Sequence, residues 1–198
     1  MKKIFVIGGM GAGKSTAARA LANQGIPLID LDKVGHQVLT WDVVKDELRE
    51  AFGEGIFDEN GEVDRKALAA GSFASEHETH KLNNITMPRI EEAYTEMLSQ
   101  LEKDNDYVVV EYSVFKGRES SLAYTADVIL AVTAPLETRI ARAVAAGWDE
   151  EDVRARIARQ ISDASRIDAA DYVFVNDGTQ QDLQEKVIAW WEEYKTQA

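Results

Sequence analysis

The first fifteen residues restrict this chain more than any others. Ile4-Phe5-Val6-Ile7 is a short apolar run that breaks into Gly8-Gly9-Met10-Gly11-Ala12-Gly13-Lys14-Ser15. The octet satisfies G-x-x-x-x-G-K-[ST] in full, with a strand-like run before it and an Ala-rich helical stretch, Ser15 to Asn23, after it. Glycines let such a loop wrap with its backbone N–H groups turned inward, and the following helix adds the positive end of its dipole. The product is a pocket for phosphate. Gly9, Gly11, Ala12 and Gly13 supply backbone, Lys14 can reach the outer phosphates of a nucleotide, Ser15 can ligate Mg²⁺, and Thr16 follows on the helix.

That pocket works against the charge of the whole molecule. The chain has 22 Lys and Arg against 35 Asp and Glu, a formal net charge of −13. A surface this acidic argues against a nucleic-acid partner, since neutralising a phosphate backbone needs a basic surplus. Disulfides, thiolate metal sites and a Cys nucleophile are excluded, because there is no cysteine. Lys2 and Lys3 precede an apolar run too short for a signal peptide, and no window approaches the roughly 18 apolar residues of a membrane helix. These readings predict a soluble cytoplasmic protein with small-molecule partners and no membrane partner, acting as a monomer.

Further apolar runs predict buried parallel strands at Tyr107 to Val110, Val128 to Val132 and Tyr172 to Val175, with a shorter one at Pro27-Leu28-Ile29. Helical patterns lie between them, at Ile90 to Leu101, Glu137 to Ala146, Glu150 to Ile161 and Leu183 to Tyr194. The alternation predicts an α/β three-layer fold with a five-stranded parallel sheet. About 75 residues separate the second strand from the third, far more than one crossover needs. They read as a mostly helical insertion, with Val43 to Phe52 and Arg65 to Phe73 as helices and Asp58-Glu59-Asn60-Gly61 as a turn. The expected layout is a single domain: a core at about 1–34, 103–140 and 167–198, an insertion at about 35–102 and a lid at about 141–166.

A phosphate loop does not specify an activity. A small-molecule kinase also needs a metal-site acid, a group that orients the attacking hydroxyl and positive charge over the transferring group. Glu111 closes the third strand and is the candidate acid, acting through water on Mg²⁺. Asp30-Leu31-Asp32 follows the second strand, and alternation sends both carboxylates to one side if the chain is still extended there. Asp32 is the candidate base, and Asp30 a helix cap or a partner. Arg142, Arg154, Arg156, Arg159 and Arg166 are the candidate lid charges. The N-K-x-D element of GTP-binding switches is absent, so ATP is the expected nucleotide. His77 and His80 lack the spacing of a metal pair and read as a solvated turn. Trp190 fits the apolar face of the last helix, leaving Trp191 outside. His36 lies just after Asp32 and could face an acceptor.

Nearly end to end, the chain resembles the dephospho-coenzyme A kinase family. The resemblance rests on Ile7 to Thr16, on Ile29-Asp30-Leu31-Asp32, on Asn60-Gly61 with Arg65 and Leu68, and on Gln160, Arg166, Ala170-Asp171 and Asn176-Asp177-Gly178. It implies a P-loop kinase fold like that of nucleoside monophosphate kinases. It also implies ATP and Mg²⁺, a catalytic Asp32, a lid arginine at Arg142, Asn176 and Gly178 at the adenine, and an acceptor side with Asp30, His36 and Arg65. The implied reaction is phosphorylation of the ribose 3′-hydroxyl of dephospho-coenzyme A. The pattern departs at Met87-Pro88, at Tyr112 to Lys116 and at Ala146, all on the acceptor and lid sides. Two other readings stay open: a P-loop kinase for a nucleoside monophosphate or sugar acid, and a nucleotide-binding regulator with little transfer.

Overall fold

The computed structural model describes residues 1–197. They divide into two compact units, residues 1–30 with those from 101 onward, and residues 31–100. In the first unit β1 (Lys2–Gly8), β2 (Leu28–Asp30), β3 (Tyr107–Tyr112), β4 (Val128–Thr133) and β5 (Tyr172–Val175) form one sheet. Its order is β2-β3-β1-β4-β5, and every neighbouring pair is parallel. The five-stranded parallel sheet expected from the apolar runs is therefore present. All six residues of β4 are buried, which is why that run does not alternate.

β5 differs from the expectation of a buried strand. Tyr172, Val173 and Val175 are exposed. The strand has one neighbour, β4, and only Phe174 is buried. Its apolar residues reflect strand propensity at a sheet edge more than burial.

α1 (Lys14–Ala22) and α9 (Gln180–Gln197) lie in one hydrophobic cluster with the sheet. Ala17, Ala18 and Leu21 of α1 meet Ile4, Val6 and Leu130, and α9 adds Leu183, Val187 and Trp191. Here the expected exposure of Trp191 is corrected, while Trp190 packs against the core cluster as expected. Trp191 is buried, edge-on to Tyr107 at 4.9 Å, and Trp190 is half-buried, stacked on Tyr194 at 4.9 Å. The i, i+4, i+8 row that begins at Leu183 runs through Val187 to Trp191, so Trp191 takes the core position. Leu130 is fully buried in this cluster. Leu130→Ala is expected to cost about 2–5 kcal/mol of stability, read as a lower denaturation midpoint in urea. An unchanged midpoint would place Leu130 outside the core.

After β4 come α6 (Leu136–Ala145), α7 (Glu150–Arg159) and α8 (Asp163–Ala169). Ile140, Ala143 and Val153 pack together with Met10 and Ile157. α8 is a separate helix that the apolar pattern does not announce. It starts because the Ser162 hydroxyl accepts the Ser165 N–H at 3.0 Å.

The second unit is helical: α2 (Leu31–Val38), α3 (Asp42–Phe52), α4 (Arg65–Ser72) and α5 (Glu76–Leu101). Val44, Leu48, Ile56 and Leu68 form its core. The Asp58–Gly61 turn is as expected, with the Asp58 carboxylate accepting the N–H groups of Asn60 and Glu62 at 2.9 Å each. Asp64 caps α4 by accepting from Lys66 and Ala67. α5 is longer than its apolar pattern. It starts at Glu76, not Ile90, and passes through Pro88. The segment with His77 and His80 is thus the start of a helix and not a loop turn, and both side chains are solvated as expected. Pro88 removes one backbone hydrogen bond, and Thr86, Ala93 and Tyr94 are buried on either side of that break.

Candidate active site

The phosphate loop lies between β1 and α1. Gly13 caps α1 with φ 106° and Gly11 has φ 74°, a region other residues enter only at a cost. A side chain at Gly13 would also overlap the Asn176 amide. That amide donates to the Ala12 carbonyl at 2.8 Å, and the Asn176 N–H donates to Thr133 at 2.7 Å. Asn176 is buried, so its side chain supports the loop from beneath.

Arg142, from α6, donates to the Asn176 carbonyl at 3.2 Å, to Asn176 Oδ1 at 3.3 Å and to the Gly178 carbonyl at 3.1 Å. The structure therefore brings together three features that sequence singled out in distant segments: the loop, Arg142 and the Asn176–Gly178 turn.

At the carboxyl edge of the sheet the Ser15 hydroxyl donates to Glu111 Oε1 at 2.5 Å. Glu111 is buried. It pairs in register with Val6 on one side and Asp30 on the other, so the last residue of β2 lies beside the second-last of β3. Two hard oxygen donors, a hydroxyl and a carboxylate in direct contact, suit Mg²⁺, which takes one or two carboxylates and completes its shell with phosphate and water.

Strand alternation does not relate Asp30 to Asp32. Extension stops at Asp30 and Leu31 is already helical, so the two-residue period does not carry across. Asp32 is an exposed residue in the first turn of α2, where an acid favours the helix dipole. In the second unit Arg65 donates to His36 Nδ1 at 3.0 Å. Both line a cavity of about 240 Å³ with Leu39, Thr40, Glu62 and Val63. The two acceptor-side candidates of that unit are thus neighbours, 29 residues apart in sequence.

The arginines proposed as lid charges differ in their surroundings. Arg154 pairs with Glu150 at 2.9 Å and Glu137 at 3.0 Å, and the Arg156 guanidinium lies 4.8 Å from the Trp148 ring centre. Arg166 is only 2% exposed and pairs with Asp163 at 2.7 Å. Burial lowers the Arg166 pKa from its ordinary value, against the pull of Asp163. Sequence reasoning passed over Arg139 altogether. It is 4% exposed and contacts both Met10 and Asp163. Its signal was a charge on the buried face of α6, beside Ile140 and Ala143.

Residues 3–182 match the model of a family described as dephospho-CoA kinase. A curated dephospho-CoA kinase of Corynebacterium glutamicum is 39% identical over 185 residues, 92% of each chain. That of Thermobifida fusca is 35% identical over 195 residues, 98% of this chain and 96% of its own. Among solved structures, a Thermus thermophilus protein superposes with a TM-score of 0.83 at 30% identity, covering 97% of both chains. The dephospho-CoA kinase of Campylobacter jejuni follows the same fold, with a TM-score of 0.72 at 22% identity over 98% of both chains. No helix among the described residues is long and apolar enough to cross a membrane.

Proposed function

Because this chain belongs to the dephospho-CoA kinase family, we propose that it transfers the γ-phosphoryl group of ATP to the ribose 3′-hydroxyl of dephospho-coenzyme A. The family match across residues 3–182, with the phosphate loop complete inside it, carries this reading.

In the proposed reaction the backbone of Gly9, Gly11, Ala12 and Gly13 and the Lys14 ammonium hold the phosphates, aided by the N-terminus of α1 that Ser15 and Thr16 open. The turn of Asn176 and Gly178 borders the adenine. Ser15 would hold Mg²⁺ directly and Glu111 through water, and the ion would there offset phosphate charge. Asp32 takes the proton of the 3′-hydroxyl, whose oxygen forms the new bond to phosphorus as the bond to ADP breaks. Asp30, His36 and Arg65 serve the acceptor.

Arg142 supplies charge to the transferring group. Its present acceptors are two backbone carbonyls and an amide oxygen, all neutral. An anionic phosphoryl oxygen competes well for the guanidinium, since charge-assisted hydrogen bonds are about twice as strong as neutral ones. A monomer and a cytoplasmic location complete the reading.

An acceptor panel tests it. Dephospho-coenzyme A should be phosphorylated at least about a hundredfold faster, by kcat/KM, than AMP, adenosine or gluconate. Equal or better turnover of one of those would reassign the acceptor. ATP binding without transfer to any of them would leave a nucleotide-binding regulator.

A further inference from the structure

Met10, at the tip of the phosphate loop, has both backbone polar groups bound by side chains from the segment after β4. Its N–H donates to Gln160 Oε1 at 3.0 Å, and its carbonyl accepts from Arg139 Nε at 2.8 Å. Arg139 Nη1 donates to Asp163 Oδ2 at 2.9 Å, and the other Asp163 oxygen accepts from Arg166 Nη1 at 2.7 Å. Arg166 Nη2 reaches Gln160 Oε1 at 3.5 Å. Two buried guanidiniums, one carboxylate and one amide thus close a circuit on one loop residue. Buried charges are costly unless paired, and each charged member here has an opposite or polar partner, although one guanidinium nitrogen of Arg139 has none among the described residues.

Arg139 also accounts for two of the loop glycines. The guanidinium occupies the space where a Cβ at Gly9 would sit, and the Arg139 backbone does the same at Gly11. Gly9 is not among the residues with positive φ, so its own backbone would accept a side chain. The obstacle is Arg139. The remaining guanidinium nitrogen, Nη2, has no hydrogen-bond partner among the described residues and no accessible surface to speak of. A nucleotide cannot touch it while the side chain keeps this place. Arg139 therefore acts through the loop.

We propose that Arg139 is a positioning residue for phosphoryl transfer: held by Asp163, it clamps the Met10 carbonyl and packs against Gly9, setting the phosphate loop in its working shape. The inference rests on the reading of that loop as the ATP site. It couples the loop to α8, because the Asp163 that holds Arg139 lies in the first turn of that helix.

The test uses Arg139→Met, Arg139→Lys, Gly9→Ala and the Gly9→Ala/Arg139→Met pair in the full chain, with steady-state kinetics for ATP and dephospho-coenzyme A and thermal melting of each variant. Misplacing reacting groups by about an ångström can cost about a hundredfold in rate. Arg139→Met should lower kcat/KM for ATP by about that factor while KM for dephospho-coenzyme A stays within twofold. Arg139→Lys keeps the charge but lacks the rigid fork whose Nε and Nη1 reach Met10 and Asp163, so it should recover only part of the loss. Gly9→Ala should be strongly impaired alone, yet add little to Arg139→Met, since the overlapping group is gone. Fully additive losses, or Arg139 variants that melt lower but keep wild-type kinetics when folded, would overturn the proposal. Should Arg139→Met fail to fold, Gln160→Ala releases the Met10 N–H alone, and an unchanged KM for ATP there would count against the clamp. Absence of transfer by the unmodified protein would instead refute the ATP-site reading.

Discussion

Lys14→Ala is expected to abolish measurable transfer while leaving the protein folded. The ammonium is the one mobile charge that the phosphate loop itself provides, and removing one preorganised donor from a developing anion costs about a hundred- to a thousandfold. The fold should not depend on it. Lys14 is the first residue of α1 and half-buried, and a positive charge at a helix N-terminus opposes the dipole. Melting temperature should hold or rise slightly. Steady-state turnover of the variant, read against its melting curve, decides the matter. Turnover within a few-fold of the unmodified protein would remove the loop from the chemistry, and a collapsed melting curve would make Lys14 structural.

Asp32→Asn separates a proton acceptor from a helix-starting acid. Asp32 sits exposed in the first turn of α2, and Asn serves helix starts about as well as Asp. The substitution keeps shape and loses the charge that accepts or polarises a proton. General-base contributions are typically about 10²- to 10⁴-fold, and a loose phosphoryl-transfer transition state places this one near the low end. The expected result is a kcat about a hundredfold lower, with KM for ATP and melting temperature little changed. Asp30→Asn should be milder in kcat. Asp30 closes β2 in register with the Glu111 that receives Ser15, so its damage should show more in the metal-dependent binding of ATP. The opposite order of kcat losses would move the proton to Asp30.

These residues also show what the sequence could carry. Local patterns were enough for the phosphate loop, because each of its requirements is met within eight residues and its flanks agree. Unbroken apolar runs located the strands, since a central parallel strand is buried on both faces. The same rule misread β5, where an edge position leaves Tyr172, Val173 and Val175 exposed. Periodicity failed at junctions. It could not show that α2 begins at Leu31, so the side shared by Asp30 and Asp32 was inferred from an extension that ends one residue too early. It missed the first half of α5, whose polar start has little moment, and the Pro88 inside it argued for a boundary. Glu111 and Ser15 could be named singly, but their 2.5 Å contact is a product of strand order. Arg139 was hidden most deeply. An arginine one turn before another, Arg142, reads as solvated surface, and only the fold turns it toward Met10 and Asp163.

The proposed reaction moves one phosphoryl group from ATP to one hydroxyl of dephospho-coenzyme A. Phosphorus NMR of a reaction containing the purified protein, ATP, Mg²⁺ and dephospho-coenzyme A reads it directly. The expected result is one ADP for each new phosphomonoester and a signal that matches authentic coenzyme A, phosphorylated at the ribose 3′ position. ADP with free inorganic phosphate and no new ester, or an ester at any other position, would contradict it.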